Sequence, residues 1–580
     1  MLETDFDPNL ILEANSGNFD QNLNLDEYFP STADANSCSI LPYLDNLNSF
    51  DSFQQVADDP TLRGNGEKDL LLGSNDNNQL YGLAGDDLLV GDRGNDTLTG
   101  STGKDILVGG EGNDLLVDDY DGGDLMTGDE DADIFSIGNW GKTENPNNIT
   151  DFTVGTDQIK VGRLGATFKN LTIQDSNEGA IVSDGEHQIA ILQGVKAENL
   201  QPDSFIFGDP ALAEQLQSDL NQGQTEGGTP GATQAIVTPD GFIWQGAAGV
   251  SNLETQTPTQ TDDIFNIASI TKSFVGATVL KLTESGTLSL DDTLGQWLPD
   301  VAANIPDGED ITLRQLLNGT SGISDLSEDP KFIADVRPDV LSGSTRKFEP
   351  EELVAYVYGD PRFTGDDPNW AYPETGHIIS KLIVEKATGT SFTEVLREQI
   401  LEPLGLNSTF VSGQEQVVGN QVRGYDDYLQ ADGSLGRDGV LDDVTSFNPS
   451  ITAGDLFSNA QDVTRFYTAL FSGELLQANS QEELLNFVDV ERGSERTGWG
   501  LGVETSEDSF GTYYARFGDL PGYESEAYYY PDRGGATVST LVNRRELLGD
   551  QLSPEDDYSS SLSPILEASL NTLQKSQADS

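Results

Sequence analysis

Hydrophobic and polar positions divide the chain into stretches of different texture. Residues 1–60 scatter Leu and Phe among Asn, Asp and Ser with no sustained period of 3.6 or 2, which predicts a weakly ordered leader. From 61 to 137 an apolar residue recurs every nine positions, at Leu71, Leu80, Leu89, Leu98, Leu107 and Leu116. Asp69, Asn78, Asp87, Asp96, Asp105 and Asp114 keep the same interval two positions ahead, and Gly73, Gly82, Gly91, Gly100 and Gly109 keep it two positions behind. Three registers at one period describe a repeated turn and short strand, which a linker has no reason to maintain. The period breaks after Asp114, and the next such pair, Asp124-Leu125, stands ten residues on. Residues 138–207 carry short alternating strands such as GAIVSD and HQIAILQGV, with His187 among them as a surface or packing residue. Residues 208–230 read as a linker, in which a short helix-like AEQLQSDLNQ runs into GQTEGGTPG. From 231 to 575 the patterns lengthen. ATQAIVTPDGFIWQGAAGV predicts two strands joined by a Pro-Asp-Gly turn. Ser269 to Leu282 predicts an amphipathic helix closed by Glu284-Ser285-Gly286.

Length and charge sharpen this outline. The 580 residues have room for two to four domains, and 36% hydrophobic content is low but enough for packed cores. Asp and Glu number 99 against 30 Lys and Arg, a formal charge of -69. Such a chain repels nucleic-acid phosphates and anionic membrane surfaces. Two uses of the acid remain: a solvated surface suited to salty water, and binding of hard cations such as Ca²⁺. Cys38 is the only cysteine, which excludes an intrachain disulfide and a thiolate metal cluster. The start Met1-Leu2-Glu3-Thr4-Asp5 lacks the basic and apolar regions of a Sec-type signal, and no apolar run is long enough for a transmembrane segment. The expectation is a cytosolic protein, or one exported without a cleaved N-terminal signal.

The rows LAGDDLLVG, DRGNDTLTG, STGKDILVG and GEGNDLLVD resemble the hemolysin-type (RTX) calcium repeat, G-G-x-G-x-D-x-U-x. The resemblance implies a parallel β-roll over residues 61–137, with Ca²⁺ held by backbone carbonyls and carboxylates. The candidate ligands are Asp69, Asn78, Asp87, Asp96, Asp105 and Asp114. Two blocks make one coil in that family, so Asp87 and Asp105 fall on one edge and Asp96 and Asp114 on the other. Stacked carboxylates without metal repel, so folding is expected to be calcium-linked. ADIFSIG and ITDFTVGTDQIKVG are similar to the strand-rich caps that close such rolls, here placed at 138–207.

Ser269-Ile270-Thr271-Lys272 is an S-x-x-K tetrad, a spacing also present at Ser101 to Lys104 and Ser344 to Lys347. Only Ser269 opens an apolar helix. There the helix N-terminus favours an oxyanion, and Lys at i+3 lies one turn along the same face. Apolar packing around that Lys would make its amine a usable base. With IFNIASITKSF, GTLSLDDTLGQWLP, ITLRQLLNGTSGISD, LFSNAQDVTRFYTAL and LPGYESEAYYYPDRGG in order, residues 231–575 resemble the serine β-lactamase / D-alanyl-D-alanine carboxypeptidase family, including its esterases.

That resemblance implies an antiparallel sheet flanked by helices, plus a helical subdomain with the site between them. It makes Ser269 the nucleophile and Lys272 its base. It makes Tyr372, in Tyr372-Pro373-Glu374, the phenol that relays protons. Glu374 stands where the family has Asn, cannot donate to a substrate carbonyl, and is placed to pair with Lys272. Arg516-Phe517-Gly518 stands for the family's Lys-Thr-Gly or His-x-Gly, with Arg516 offering charge to a substrate carboxylate and Phe517 narrowing the site. The backbone N–H of Asp519 is the expected second oxyanion donor beside that of Ser269. Gly319 replaces a common His, and His377 is a remote alternative base.

The leading reading is a secreted, extracellular calcium-binding serine hydrolase acting through an acyl-enzyme. Its substrate would be a small ester, a D-amino-acid or peptidoglycan-like peptide, or a β-lactam, with the β-lactam least favoured. The alternative is a calcium-dependent surface or adhesion protein whose hydrolase domain is impaired.

Overall fold

The computed structural model describes residues 50–579 except 51, 56–59, 119–121, 139–144, 333, 336–347, 364–368, 427–441, 444, 446–452, 493–494 and 546–561. The expected leader lies outside the described residues up to 49, and its end is strand: Ser52–Gln55 pairs in parallel with Asp69–Ser74.

The nine-residue period builds a parallel β-roll. One sheet runs through Asp69–Ser74, Leu88–Arg93, Ile106–Glu111, Leu125–Glu130 and Asn147–Ile149. The facing sheet runs through Thr61–Arg63, Gln79–Ala84, Thr97–Thr102, Leu115–Val117, Ile134–Ile137, Gln158–Val161 and Phe205–Ile206. Register puts Leu71, Leu89, Leu107 and Met126 in one inward row. Leu80, Leu98, Leu116, Phe135 and Ile159 form the other, and every side chain in both rows is fully buried. Each such Leu stabilises the coil by about 1.5–3 kcal/mol. Parallel coiling does not stop where the strict period does. The insertion before Asp124 is absorbed between strands, and an antiparallel unit of Leu171–Asp175, Gly179–Asp184 and His187–Gln193 ends the first sheet.

The segment read as a linker is mostly helix α1 (Pro210–Glu226), begun by the Asp209 cap and Pro210. The hydrolase portion is built on an antiparallel sheet whose middle strands are β1 (Gly231–Val237), β2 (Ile243–Asn252), β3 (Thr512–Leu520), β4 (Tyr523–Tyr530) and β5 (Ala536–Val542), in the order β2-β1-β5-β4-β3. Helix α1 and the C-terminal helix Ser563–Asp579 cover one face. The other face packs on α5 (Ala460–Ser472), and α2 (Thr271–Glu284), α3 (Leu313–Asn318) and α4 (Glu374–Thr388) extend the same apolar core beyond it. The α2 segment was expected to be amphipathic. It is instead buried on nearly every side, with Phe274 stacked on Phe466 at 3.7 Å, because elements surround it completely.

Two glycines bring the site helices close to their supports. A Cβ at Gly276 of α2 would lie 2.0 Å from the Leu501 carbonyl oxygen, and one at Gly376 of α4 would lie 2.1 Å from that of Leu316. The roll joins the hydrolase through backbone hydrogen bonds, Leu164 N–H to Ile243 O at 2.8 Å and Ile243 N–H to Gly162 O at 2.9 Å.

Within the core, Glu526 of β4 is buried against Thr540 and Tyr528, and burial, with Glu524 nearby, lifts its carboxyl to about 8. The neutral acid is favoured in the fold. Its contribution is therefore complete below the unfolded value near 4.5 and is lost as pH rises through about 8. Glu526→Gln is expected to melt close to the wild type at pH 4.5 and progressively higher than it as pH rises to 8.5. A constant difference in Tm across that range would refute the assignment.

Candidate active site and calcium-repeat edges

Asn266 accepts the Ala268 N–H at 2.7 Å, and Ala268 takes a positive φ of 45°, uncommon for a residue with a side chain. This bend sets half-buried Ser269 in a short turn, Ala268–Ile270, that leads into α2. The strand Leu456–Ser458 braces it, with Ile267 N–H bonded to Leu456 O at 3.0 Å. On the other side β3 closes in: a Cβ at Gly518 would meet Ile267 O at 2.4 Å, so only glycine lets the strand approach the nucleophile turn.

Lys272, one turn into α2, is fully buried. Its Nζ donates to Ser269 Oγ at 2.9 Å, Glu374 Oε2 at 2.5 Å and Ala453 O at 3.2 Å. Three donors meet three acceptors. Tyr372 donates to the same Ser269 Oγ at 3.0 Å. Its ring stands edge-on to Trp499, with centroids 5.6 Å apart, and Trp370 is fixed by a bond from Nε1 to Asn318 O at 3.0 Å. Glu374 is the first residue of α4, where the helix N-terminus favours a carboxylate. Gly319 ends α3 in the left-handed conformation, and a Cβ there would lie 2.3 Å from Trp370 Nε1, so a His has no room.

Arg516 differs from expectation. Its side chain is 4% exposed, with Nη1 on Glu504 Oε1 at 2.6 Å, Nε on Ser269 O at 3.3 Å and Nη2 donating to the Tyr372 hydroxyl. Its guanidinium carbon lies 4.5 Å from the Trp499 ring centre. The charge is spent inside the protein rather than held out toward a substrate carboxylate. Phe517 does not narrow the site either. Strand alternation turns it to the opposite face, edge-on to Tyr528 with centroids 5.4 Å apart. Asp519 lies beyond Gly518 on β3, exposed and opposite Glu524. His377 is buried, and its Nδ1 lies 2.8 Å from Pro373 O rather than on Ser269. Burial, with Lys272 nearby, holds its ring well below the usual value, so it is neutral. The competing tetrad at Ser101 belongs to a roll strand, and the one at Ser344 lies outside the described residues. Glu504 is the site residue that sequence reasoning missed. Nothing local marks it, since it lies twelve residues before Arg516 and meets it across neighbouring strands.

In the roll, each repeat carboxylate does two things. Oδ1 accepts the backbone N–H of the equivalent residue one coil back: Asp87 from Asp69 at 2.7 Å, Asp105 from Asp87 at 2.8 Å, Asp96 from Asn78 at 2.7 Å and Asp114 from Asp96 at 2.8 Å. The ladder continues through Asp124 and Asp133, which accept from Asp105 and Asp114, and these two were not among the expected ligands. Their signal was present as a second Asp-Leu and Asp-Ile pair in DLMTGDEDADI.

Oδ2 of Asp87, Asp96, Asp114 and Asp133 is buried with no hydrogen-bond partner and points into the glycine turn of the same repeat. A Cβ at Gly82, Gly91 or Gly109 would sit 2.4–2.5 Å from that oxygen, beside the next coil's carbonyl. Burial, then neighbouring carboxylates, lifts Asp87 to about 10, Asp96 and Asp133 to about 7 and Asp114 to about 6. Orphaned carboxylate oxygens among carbonyls fit a hard divalent cation. At Asp69 and Asn78 the corresponding oxygens instead accept Asn65 N–H and Ser74 N–H, each at 2.6 Å.

Comparison with known proteins divides the chain in the same way. The β-lactamase family model matches residues 216–556, and the RTX calcium-binding nonapeptide repeat matches 63–98, 81–116 and 99–135. Penicillin-binding protein 4* of Bacillus subtilis is 25% identical over 332 residues, 53% of this chain and 66% of that protein. Esterase EstB of Burkholderia gladioli is 28% identical over 225 residues, 38% of this chain and 57% of that one. The chain thus spans less than two thirds of either relative. Among solved structures, a D-stereospecific amidohydrolase from Streptomyces sp. has a TM-score of 0.52 at 29% identity, covering 62% of this chain and 98% of its own. The D-amino acid amidase of Ochrobactrum anthropi SV3 shares the fold, with a TM-score of 0.54 at 24% identity over 63% of this chain and 99% of its own. The chain belongs to the β-lactamase family of serine hydrolases, its hydrolase domain preceded by RTX calcium-binding repeats.

Proposed function

We propose that the protein is an extracellular, calcium-binding serine hydrolase that forms an acyl-enzyme at Ser269 on a small ester or a D-amino-acid amide or peptide. One observation carries the reading: Ser269 Oγ lies between Lys272 Nζ and Tyr372 Oη, with Glu374 directly behind Lys272. Ser269 Oγ bonds to the substrate carbonyl carbon as its proton passes to Lys272 and a Lys272 proton passes to Glu374 Oε2. The departure from Asn thereby becomes useful, since Glu374 takes the proton that Lys272 must give up for its amine to accept that of Ser269. Tyr372 gives its phenolic proton to the leaving oxygen or nitrogen, and Arg516 faces the phenolate that remains. The backbone N–H groups of Ser269 and Asp519 receive the oxyanion. Water then adds to the acyl carbon and returns a proton to Tyr372. The proton on Glu374 goes back through Lys272 to Ser269 as the acid departs.

The names of an esterase and a D-stereospecific amidohydrolase among the similar proteins support this substrate range. A buried Arg516 favours it over β-lactams, which bring a carboxylate to the site. Asp87, Asp96, Asp105, Asp114, Asp124 and Asp133 are proposed to hold Ca²⁺ with the turn carbonyls. The ion would neutralise the stacked acids, and millimolar external calcium suits such sites.

Intact mass after fluorophosphonate treatment in millimolar calcium is expected to show one adduct, absent from Ser269→Ala, with no stable adduct from a penicillin. Folded wild type that takes neither reagent would overturn the enzyme reading and favour a calcium-dependent surface protein. Glu504→Gln removes the buried partner of Arg516 and is expected to cost about 3–5 kcal/mol in urea unfolding. A loss below about 1 kcal/mol would mean that the pair is dispensable. Chelation with EGTA is expected to reduce far-UV strand signal and thermal stability together, both returning with calcium. Insensitivity of both would argue against metal in the roll.

A further inference from the structure

Both cations that reach Ser269 are already neutralised. Lys272 is fully buried with its three donors engaged, and Arg516 is locked to Glu504, Tyr372 and the Ser269 carbonyl. Arg362 is likewise engaged, its Nε on Ser321 O at 2.6 Å and its guanidinium over Phe363. Glu374 keeps a partly open face, its side chain 14% exposed, and only Oε2 is bonded to Lys272. Oε1 has no hydrogen-bond partner among the described residues. A second acid lies nearby: Asp325 caps the turn Leu326–Glu328, its Oδ1 accepting Ser327 N–H at 2.8 Å and the Ser327 hydroxyl at 2.7 Å, and Leu326 N–H of that turn donates to Thr375 Oγ1 at 3.1 Å. Burial, then the charge of Glu374, raises Asp325 to about 7. Glu374 thus keeps an open carboxylate oxygen while Lys272, Arg516 and Arg362 are all engaged with other partners, and the chain as a whole carries -69.

From this arrangement, and resting on the acyl-enzyme reading above, we infer that the Ser269 site selects substrates bearing a primary ammonium beside the scissile carbonyl and disfavours those bearing a carboxylate there, with Glu374 as the specificity-determining residue. The ammonium would donate to Glu374 Oε1 while Oε2 keeps its bond to Lys272, so one carboxylate serves both the base and the substrate. A substrate carboxylate placed there would meet Glu374, with Lys272 and Arg516 already engaged.

The test uses the full chain in calcium and p-nitrophenyl esters of D-alanine that differ only on the α-nitrogen: free ammonium, acetyl and succinyl. The expected result is kcat/KM for the ammonium ester about tenfold or more above the succinyl ester, carried mainly by KM and shrinking as salt is raised. Glu374→Gln should bring the ratio of the two residual rates close to one, while Glu374→Asp retains a preference for the ammonium. Circular dichroism and fluorophosphonate labelling accompany each variant. Labelled, folded wild type that hydrolyses the three esters equally, or prefers the succinyl ester, would overturn the inference alone. A wild-type preference that survives unchanged in Glu374→Gln would overturn the role of that residue. Absence of labelling would overturn the acyl-enzyme reading itself, and the inference with it.

Discussion

Two buried ion pairs govern the hydrolase site. Lys272 with Glu374 and Arg516 with Glu504 place four charged groups around one serine and one tyrosine, with the two cations almost wholly out of water. A lone cation at such depth would be costly, so each pair must form for the domain to close. The pairs also come from distant parts of the chain. Lys272 lies on α2, Glu374 on α4, Arg516 on β3, and Glu504 on the strand beside it. Neutralising the charges therefore pins two helices and the sheet to each other, and the same contacts aim Lys272 and Tyr372 at Ser269. Stability and the proposed catalytic geometry are here one set of bonds.

The roll solves its electrostatic problem differently. Its carboxylates stack in two ladders, and each spends one oxygen on the neighbouring coil's N–H. That bond fixes the register, while the second oxygen turns into the glycine bend. Inside, Leu71, Leu89 and Leu107 face Leu80, Leu98 and Leu116 as two apolar rows. Apolar stacking gives the coil its core, and the acid ladders leave it wanting positive charge. Backbone hydrogen bonds at Gly162, Leu164 and Ile243 then fasten this element to the edge of the hydrolase.

Much of this was legible beforehand because it is periodic or local. A nine-residue spacing fixes which side chains share a row, since a repeat that cannot bury its Leu alone must stack. Ser269 and Lys272 lie one helical turn apart, so their proximity follows from spacing, and Tyr372 and Glu374 follow from their place beside a helix start. Asp124, seen ten residues on, and Asp133 were left out of the ligand set because a one-residue insertion breaks the period, and strand pairing restores their register.

What the sequence by itself determined was therefore the architecture, the closeness of Ser269 and Lys272 at the start of α2 and the acid character of the roll, because these depend on spacing within a few residues. Tertiary structure alone decided where charges and faces point. It turned Arg516 inward onto Glu504 and Tyr372, sent Phe517 to the far side of the sheet, and enclosed α2 on all sides. Those outcomes depend on which face of a strand meets the core and on a partner that lies across the sheet. Neither is written in the spacing of neighbouring residues, so they are fixed only when the sheet and helices pack.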